Sequence, residues 1–139
     1  MEPADIVLAM WRDIDLNGGR KVHEWYVPDG TLTFDQHTIR GRDAIAATYL
    51  KRRSGTGRVA RHVASNVAAE AVDDQTVRVY SIVVLFAGNG TPPLPAVTPQ
   101  LVGDVEDLFV RVDGQWLISS RRISHVFIGG DTVLGVPTR

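Results

Sequence analysis

From Pro3 onward, Ile6, Val7, Met10, Trp11 and Ile14 recur at three- and four-residue intervals until Asn17-Gly18-Gly19 breaks the pattern, which predicts an amphipathic first helix opened by proline. Arg20 to Tyr26 reads as a short second helix with Val22, Trp25 and Tyr26 inward, stopped by a turn at Val27-Pro28-Asp29-Gly30. Thr31–Phe34 and Thr38–Arg40 read as a hairpin around Asp35-Gln36-His37. A third helix follows Gly41, with Asp43 early and Ile45, Thr48, Tyr49 and Leu50 on its buried side. Lys51-Arg52-Arg53 ends it, and at the carbonyl terminus such a cluster reads as a solvated, favourably placed helix end.

Beyond Ser54-Gly55-Thr56-Gly57 the period changes from helical to alternating. Val59–Val72 turns at Asp73-Asp74 and Thr76–Phe86 returns antiparallel, with Val77, Val79, Val83 and Leu85 on one face and Tyr80, Ile82, Val84 and Phe86 on the other. A sheet apolar on both faces needs two covers. Helices supply one and a second subunit the other, so a homodimer through the sheet face is expected. Gly88–Pro99 reads as a proline-rich loop; Leu101–Val112, Asp113-Gly114 and Gln115–Phe127 form the last hairpin, and residues 129–139 an irregular tail. Helices followed by long antiparallel strands make an α+β domain spanning 1–139, with the helices on one face of a strongly bent mixed or antiparallel sheet.

Composition narrows the function classes. In 139 residues, 44% hydrophobic with a net charge of −1, nothing draws the chain toward nucleic acid or anionic membranes. The absence of cysteine removes disulfides, thiol nucleophiles and thiolate metal sites, and fits a cytoplasmic setting. No apolar run approaches the ~20 residues of a membrane span. His23, His37 and His125 are scattered without metal-ligand spacing, so neither a metal nor another cofactor is expected.

The chemistry centres on Arg61-His62-Val63-Ala64-Ser65-Asn66. Strand alternation puts His62, Ala64 and Asn66 on one side, and the small neighbours leave room beside the imidazole for a cavity. The alternative is a core histidine satisfied by a backbone carbonyl. Asp15 falls on the stripe of Leu8 and Trp11 in the last turn of helix one, where a carboxylate needs a cationic or hydrogen-bonding partner. Asp13 should face water, with no role. Asp107 and Arg121 read as a structural ion pair across the last hairpin, and Asp104 and Glu106 as solvated or rim acids.

Several segments in this order carry a resemblance: Trp11 to Asp15, Tyr26-Val27-Pro28-Asp29-Gly30, Gly41-Arg42-Asp43-Ala44-Ile45, Arg61-His62 with Asn66, Asp107 through Arg111, Gly114-Gln115-Trp116 and Arg121. The chain resembles the SnoaL-like members of the NTF2-like superfamily, the cone-shaped α+β fold of scytalone dehydratase and ketosteroid isomerase, in which the sheet encloses a pocket. The resemblance implies that Asp15 and His62 form a catalytic dyad and that Arg111 matches a catalytic arginine of the dehydrochlorinase branch. Where several of those enzymes carry a tyrosine or lysine just before the helix-one acid, this chain has Met10 and Ile14, and the second histidine of scytalone dehydratase has no counterpart near Ala87.

Two readings stand. One is a cofactor-independent lyase or isomerase of the dehydratase type, acting on a small hydrophobic ring compound bearing a carbonyl or hydroxyl. Asp15 would orient His62, Arg111 or Tyr49 would stabilise developing negative charge, and Trp11, Trp25, Tyr26, Tyr49 and Asn66 would line the substrate pocket. The other is a non-catalytic module that binds a hydrophobic ligand or dimerises, with the Asp15–His62 pair a buried structural salt bridge.

Overall fold

The computed structural model describes residues 1–55 and 57–129. Helix α1 spans Pro3–Asn17, with proline in the first turn and a left-handed Gly18 at its end. A single 3-10 turn, Val22–Trp25, leads into β1 (Tyr26–Phe34), followed by β2 (His37–Arg40), α2 (Arg42–Arg53), β3 (Arg58–Asp73), β4 (Thr76–Asn89), β5 (Leu101–Val112) and β6 (Gln115–Ile128). The six strands form one mixed sheet in the order β2-β1-β6-β5-β4-β3. Only the β1–β6 contact is parallel, and the sheet is not closed. Both α-helices pack on one face, over a core that joins Val7, Met10, Trp11, Ile45 and Tyr49 to Val79, Val83, Leu85, Phe109 and Ile118. The inward positions of β4 are buried while Tyr80, Ile82, Val84 and Phe86 face away from the helices, as the alternation predicts.

Two interactions fix the helices to the sheet. Arg42, in the first turn of α2, donates from Nε (3.0 Å) and Nη2 to the carbonyl of Tyr26, which ties that helix to the start of β1. Gly19 lies against the ring of Tyr49, where an added Cβ would stand 2.7 Å from Cδ1, so only glycine allows the α1 exit to pass so close to α2.

Some sequence expectations are corrected. The second helix shrinks to one 3-10 turn because the Lys21 N–H is held by the Asp13 carboxylate at 2.9 Å and Tyr26 already belongs to β1. Val27-Pro28-Asp29-Gly30 is not a turn but an irregular stretch of β1: its pairing runs from Tyr26↔Ile118 to Thr31↔Ser120, and the extra residues loop out where Pro28 has no ladder bond to make. Leu50 is 53% exposed, since the inner stripe of α2 is only as wide as Ile45 and Tyr49. Asp13 is buried rather than hydrated, accepting from Asn17 Nδ2 at 2.8 Å as well as from Lys21 N. β4 runs on to Asn89, shortening the loop that follows. From residue 130 the expected tail lies outside the described residues.

Candidate active site

Asp15 sits in the last turn of α1, which has no basic residue there to offset the carbonyl dipoles. His62, near the start of β3, supplies what is missing. Its backbone N–H donates to Asp15 Oδ2 at 2.6 Å and its Nδ1–H to Oδ1 at 2.6 Å. One carboxylate thus fixes both the main chain and the ring of the histidine, and both side chains are more than nine-tenths buried. With Nδ1 committed as donor, Nε2 keeps its lone pair as an acceptor. That atom has no hydrogen-bonding partner among the described residues, yet it is not sealed in. His62 borders an open cavity of about 250 Å³ with Leu8, Trp11, Asp15 and Ala64.

The ring is held from the side as well. Trp11 stacks on His62 with centroids 4.5 Å apart and planes 15° from parallel, and the Arg121 guanidinium lies 4.5 Å from the same indole. Arg121 is anchored in turn by Asp107, with Nε–Oδ1 at 2.7 Å and Nη2–Oδ2 at 3.1 Å, both side chains fully buried. This is the ion pair expected from the sequence. Burial opposes the charge of Arg121, but Asp107 together with Tyr26 and Tyr49 outweighs it and the pKa is raised.

The pKa of His62 is lowered from its ordinary value. Burial is the main cause; the Asp15 hydrogen bond and charge oppose it, and repulsion from Arg52 and Arg58 adds to it. At neutral pH the imidazole is therefore uncharged, with Nε2 free to accept a proton.

A second cavity, about 240 Å³, lies on the other side of Asp15, bounded by Ile14, Tyr49, Ala60 and the arginines 20, 52, 53 and 58. Tyr49 thus shares a cavity with Asp15 but not with His62, whereas Trp11 touches the imidazole directly. The remaining candidates are elsewhere. Tyr26 is fully buried in the core beside Arg121. Asn66 adopts a left-handed backbone (φ 53°) at a bulge between Ser65 and Ala68 that breaks the strand alternation. It lines a 360 Å³ groove with Tyr80, Ile82, Asp104 and Glu106 on the outer sheet face. Trp25 and Arg111 line a 540 Å³ cavity with Met1, Glu2 and Trp116, which shares no residue with either cavity at Asp15. That cavity is at the start of α1 and Asp15 at its end, about 20 Å apart for a helix of 15 residues. Arg111 instead stacks on Trp116 at 4.4 Å.

Two features were not foreseen. Arg52 and Arg53 turn toward the cavity instead of into water, which a helix-end position alone does not reveal. Asp35 and His125 form a second pair, with His125 N–H to Oδ1 at 2.9 Å and Nδ1 to Oδ2 at 2.5 Å. Their separation of 90 residues gives no sequence signal. Among the described residues no three His, Asp or Glu side chains converge, and no helix is long and apolar enough to cross a membrane.

Two helices on one face of an open, mixed six-stranded sheet, with an acid–histidine pair where the first helix meets the long strand, define an α+β protein of the NTF2-like fold. The SnoaL-like domain family matches residues 4–122, and the chain belongs to that family. No curated protein matches the sequence. Among solved structures, one from Novosphingobium aromaticivorans named "Putative Scytalone Dehydratase" is 21% identical, with TM-score 0.79, covering 94% of this chain and 85% of its own. ActVI-ORFA from Streptomyces coelicolor is 17% identical, with TM-score 0.76 and coverages of 88% and 93%. A protein from Catenulispora acidiphila in complex with S-DNPA is 20% identical, with TM-score 0.72 and coverages of 88% and 89%. These likenesses define the fold.

Proposed function

We propose that the protein is a cofactor-independent lyase or isomerase of the dehydratase type, acting on a small hydrophobic ring compound that carries a carbonyl or hydroxyl. The observation that carries this reading is the pair of hydrogen bonds from His62 to Asp15, which leaves an uncharged imidazole, its Nε2 uncommitted, on the wall of an open cavity. His62 takes a proton from carbon next to the carbonyl and, once protonated, returns it to a departing hydroxyl or to a second carbon; Asp15 orients the ring and holds its tautomer. Trp11 fixes the imidazole plane from behind. Of the two groups considered for the developing enolate, Arg111 lies in a cavity that shares no residue with those at Asp15, and Tyr49 lines the neighbouring cavity across Asp15, so Tyr49 is the nearer of the two. The family and the dehydratase name of one structural neighbour support the reaction class. A screen of enone-forming dehydrations and double-bond isomerisations compares wild type with Asp15→Asn and His62→Gln. Turnover in wild type that both variants lose is expected; equal turnover in all three removes the dyad.

A non-catalytic ligand-binding module is the second reading. It is favoured by the Asp35–His125 pair, which repeats the same two bonds although His125 Nε2 is buried without a partner among the described residues.

The proposal includes a cytoplasmic homodimer. Tyr80, Ile82, Val84 and Phe86 present partly exposed apolar surface on the sheet face away from the helices, and the chain has no cysteine. Sedimentation velocity at micromolar concentration should give a dimer, and a monomer throughout would remove that part.

A further inference from the structure

The cavity behind Asp15 is built from guanidinium groups of three separate segments: Arg20 after α1, Arg52 and Arg53 at the end of α2, and Arg58 at the start of β3. Asp15 is the one acid among its described lining residues, and both of its oxygens already accept from His62. The internal demand on Arg20 and Arg53 is small. Arg20 Nη1 donates to the Asn17 carbonyl at 2.7 Å and Arg53 Nη1 to the Gly18 carbonyl at 3.4 Å, each using one of five donors. Arg52 lies 4.9 Å over the Tyr49 ring, and its Nε and Nη2 are buried with no partner among the described residues. Burial, then repulsion from Arg52, lowers the pKa of Arg58 to about 10, with the Asp15 charge opposing both without outweighing them. Like charges gathered around one hollow repel, and buried donors without acceptors cost roughly 1–3 kcal/mol each. An anion in the hollow removes both penalties.

We propose that this cavity is an anion subsite, and that the ligand of the Asp15–His62 site is a ring compound carrying a carboxylate or phosphate group, held by Arg52 and Arg58 with Arg20 and Arg53 at the rim. Asp15 and Leu16 line both cavities, so a ligand with its ring against Trp11 and His62 reaches the arginines around that ridge. Planar forks of N–H donors match the oxygens of such groups bidentately. The inference rests on the catalytic reading for the position of the ring, but the anion subsite is tested by binding alone.

The test is calorimetry on the full chain at constant ionic strength in chloride, with trans-cinnamate, its uncharged isostere cinnamamide, and inorganic phosphate. Cinnamate should bind saturably and about tenfold or more tighter than the amide. Arg52→Gln and Arg58→Gln should each remove most of that advantage. Arg20→Gln, at an exposed side chain and therefore safe for folding, should reduce it by a smaller factor. Phosphate that displaces cinnamate identifies a site satisfied by a free oxyanion; phosphate that does not, beside tight cinnamate, identifies one that needs the anion carried on the ring. Equal affinity for acid and amide in wild type, or an advantage that survives in the arginine variants, overturns the subsite. His62→Gln separates the two proposals: a preserved acid-over-amide preference with no turnover in any variant sinks the dyad and keeps the subsite, and the reverse pattern does the opposite.

Discussion

Asp35 holds His125 in the same way that Asp15 holds His62, one carboxylate oxygen on the backbone N–H and the other on Nδ1. The two pairs differ in what the second ring nitrogen meets. His125 Nε2 is buried, with Phe34 stacked 6.4 Å away, whereas His62 opens on a cavity. The clamp is therefore a device for fixing a histidine, and access is what separates a reactive histidine from a structural one. Asp35→Asn should lower stability by roughly 1–3 kcal/mol, through weakened acceptors in a buried site, and leave turnover at the wild-type level. Urea denaturation beside the activity assay checks this; a loss of turnover matching that of Asp15→Asn would erase the distinction.

At the open pair the effects should be catalytic. His62→Gln removes the proton acceptor and should slow turnover by about 10²–10⁴-fold. Asp15→Asn should act through the tautomer and ring position, reducing kcat more than it raises KM. Steady-state kinetics on the substrate found by the screen measure both.

The pH dependence follows from the lowered pKa of His62. Activity should be flat near neutrality and fall only when pH drops below the ordinary histidine value of 6.5, as the imidazole protonates. Stability should move the same way. As pH falls through 6.5 the unfolded chain binds the proton before the folded one does, so stability declines from there to the folded-state pKa and is unaffected above 6.5. Thermal melts of wild type and His62→Gln between pH 8 and 5 isolate the contribution, which vanishes in the variant.

Asp107→Asn leaves Arg121 as an uncompensated buried cation and should cost about 3–5 kcal/mol. Because Arg121 backs Trp11, and Trp11 backs His62, turnover should fall too in the fraction that remains folded. Denaturant titration reads the first effect, and near-ultraviolet circular dichroism of the tryptophans reads the second.

Asp13→Ala deprives Asn17 Nδ2 and the Lys21 N–H of their acceptor and should destabilise by roughly 1–3 kcal/mol. Asp5→Ala, at the first turn of the same helix, serves as the comparison, with a change expected within about 0.5 kcal/mol. Equal losses would mean that Asp13 behaves as an ordinary helix surface residue.

Periodicity alone determined α1, α2 and the four long strands, because apolar spacing records which side of an element meets the core: Ile6, Val7, Met10 and Trp11 at helical intervals, Val79, Val83 and Leu85 at alternating ones. The turn at Asp113-Gly114 and the Asp107–Arg121 pairing were also legible, since a short hairpin fixes which residues stand opposite each other. The meeting of Asp15 with His62 came from the family resemblance together with strand parity. What only the tertiary structure decided is long-range or local in ways that spacing does not encode. A left-handed Asn66 reversed the face expected of it, and a helix length separated Arg111 from Asp15. Asp13 found the Lys21 amide, Arg52 and Arg53 met Arg20 and Arg58 around one hollow, and Asp35 found His125. Each of these depends on where one element lands against another, a result of packing the whole core that no single segment carries in its own pattern.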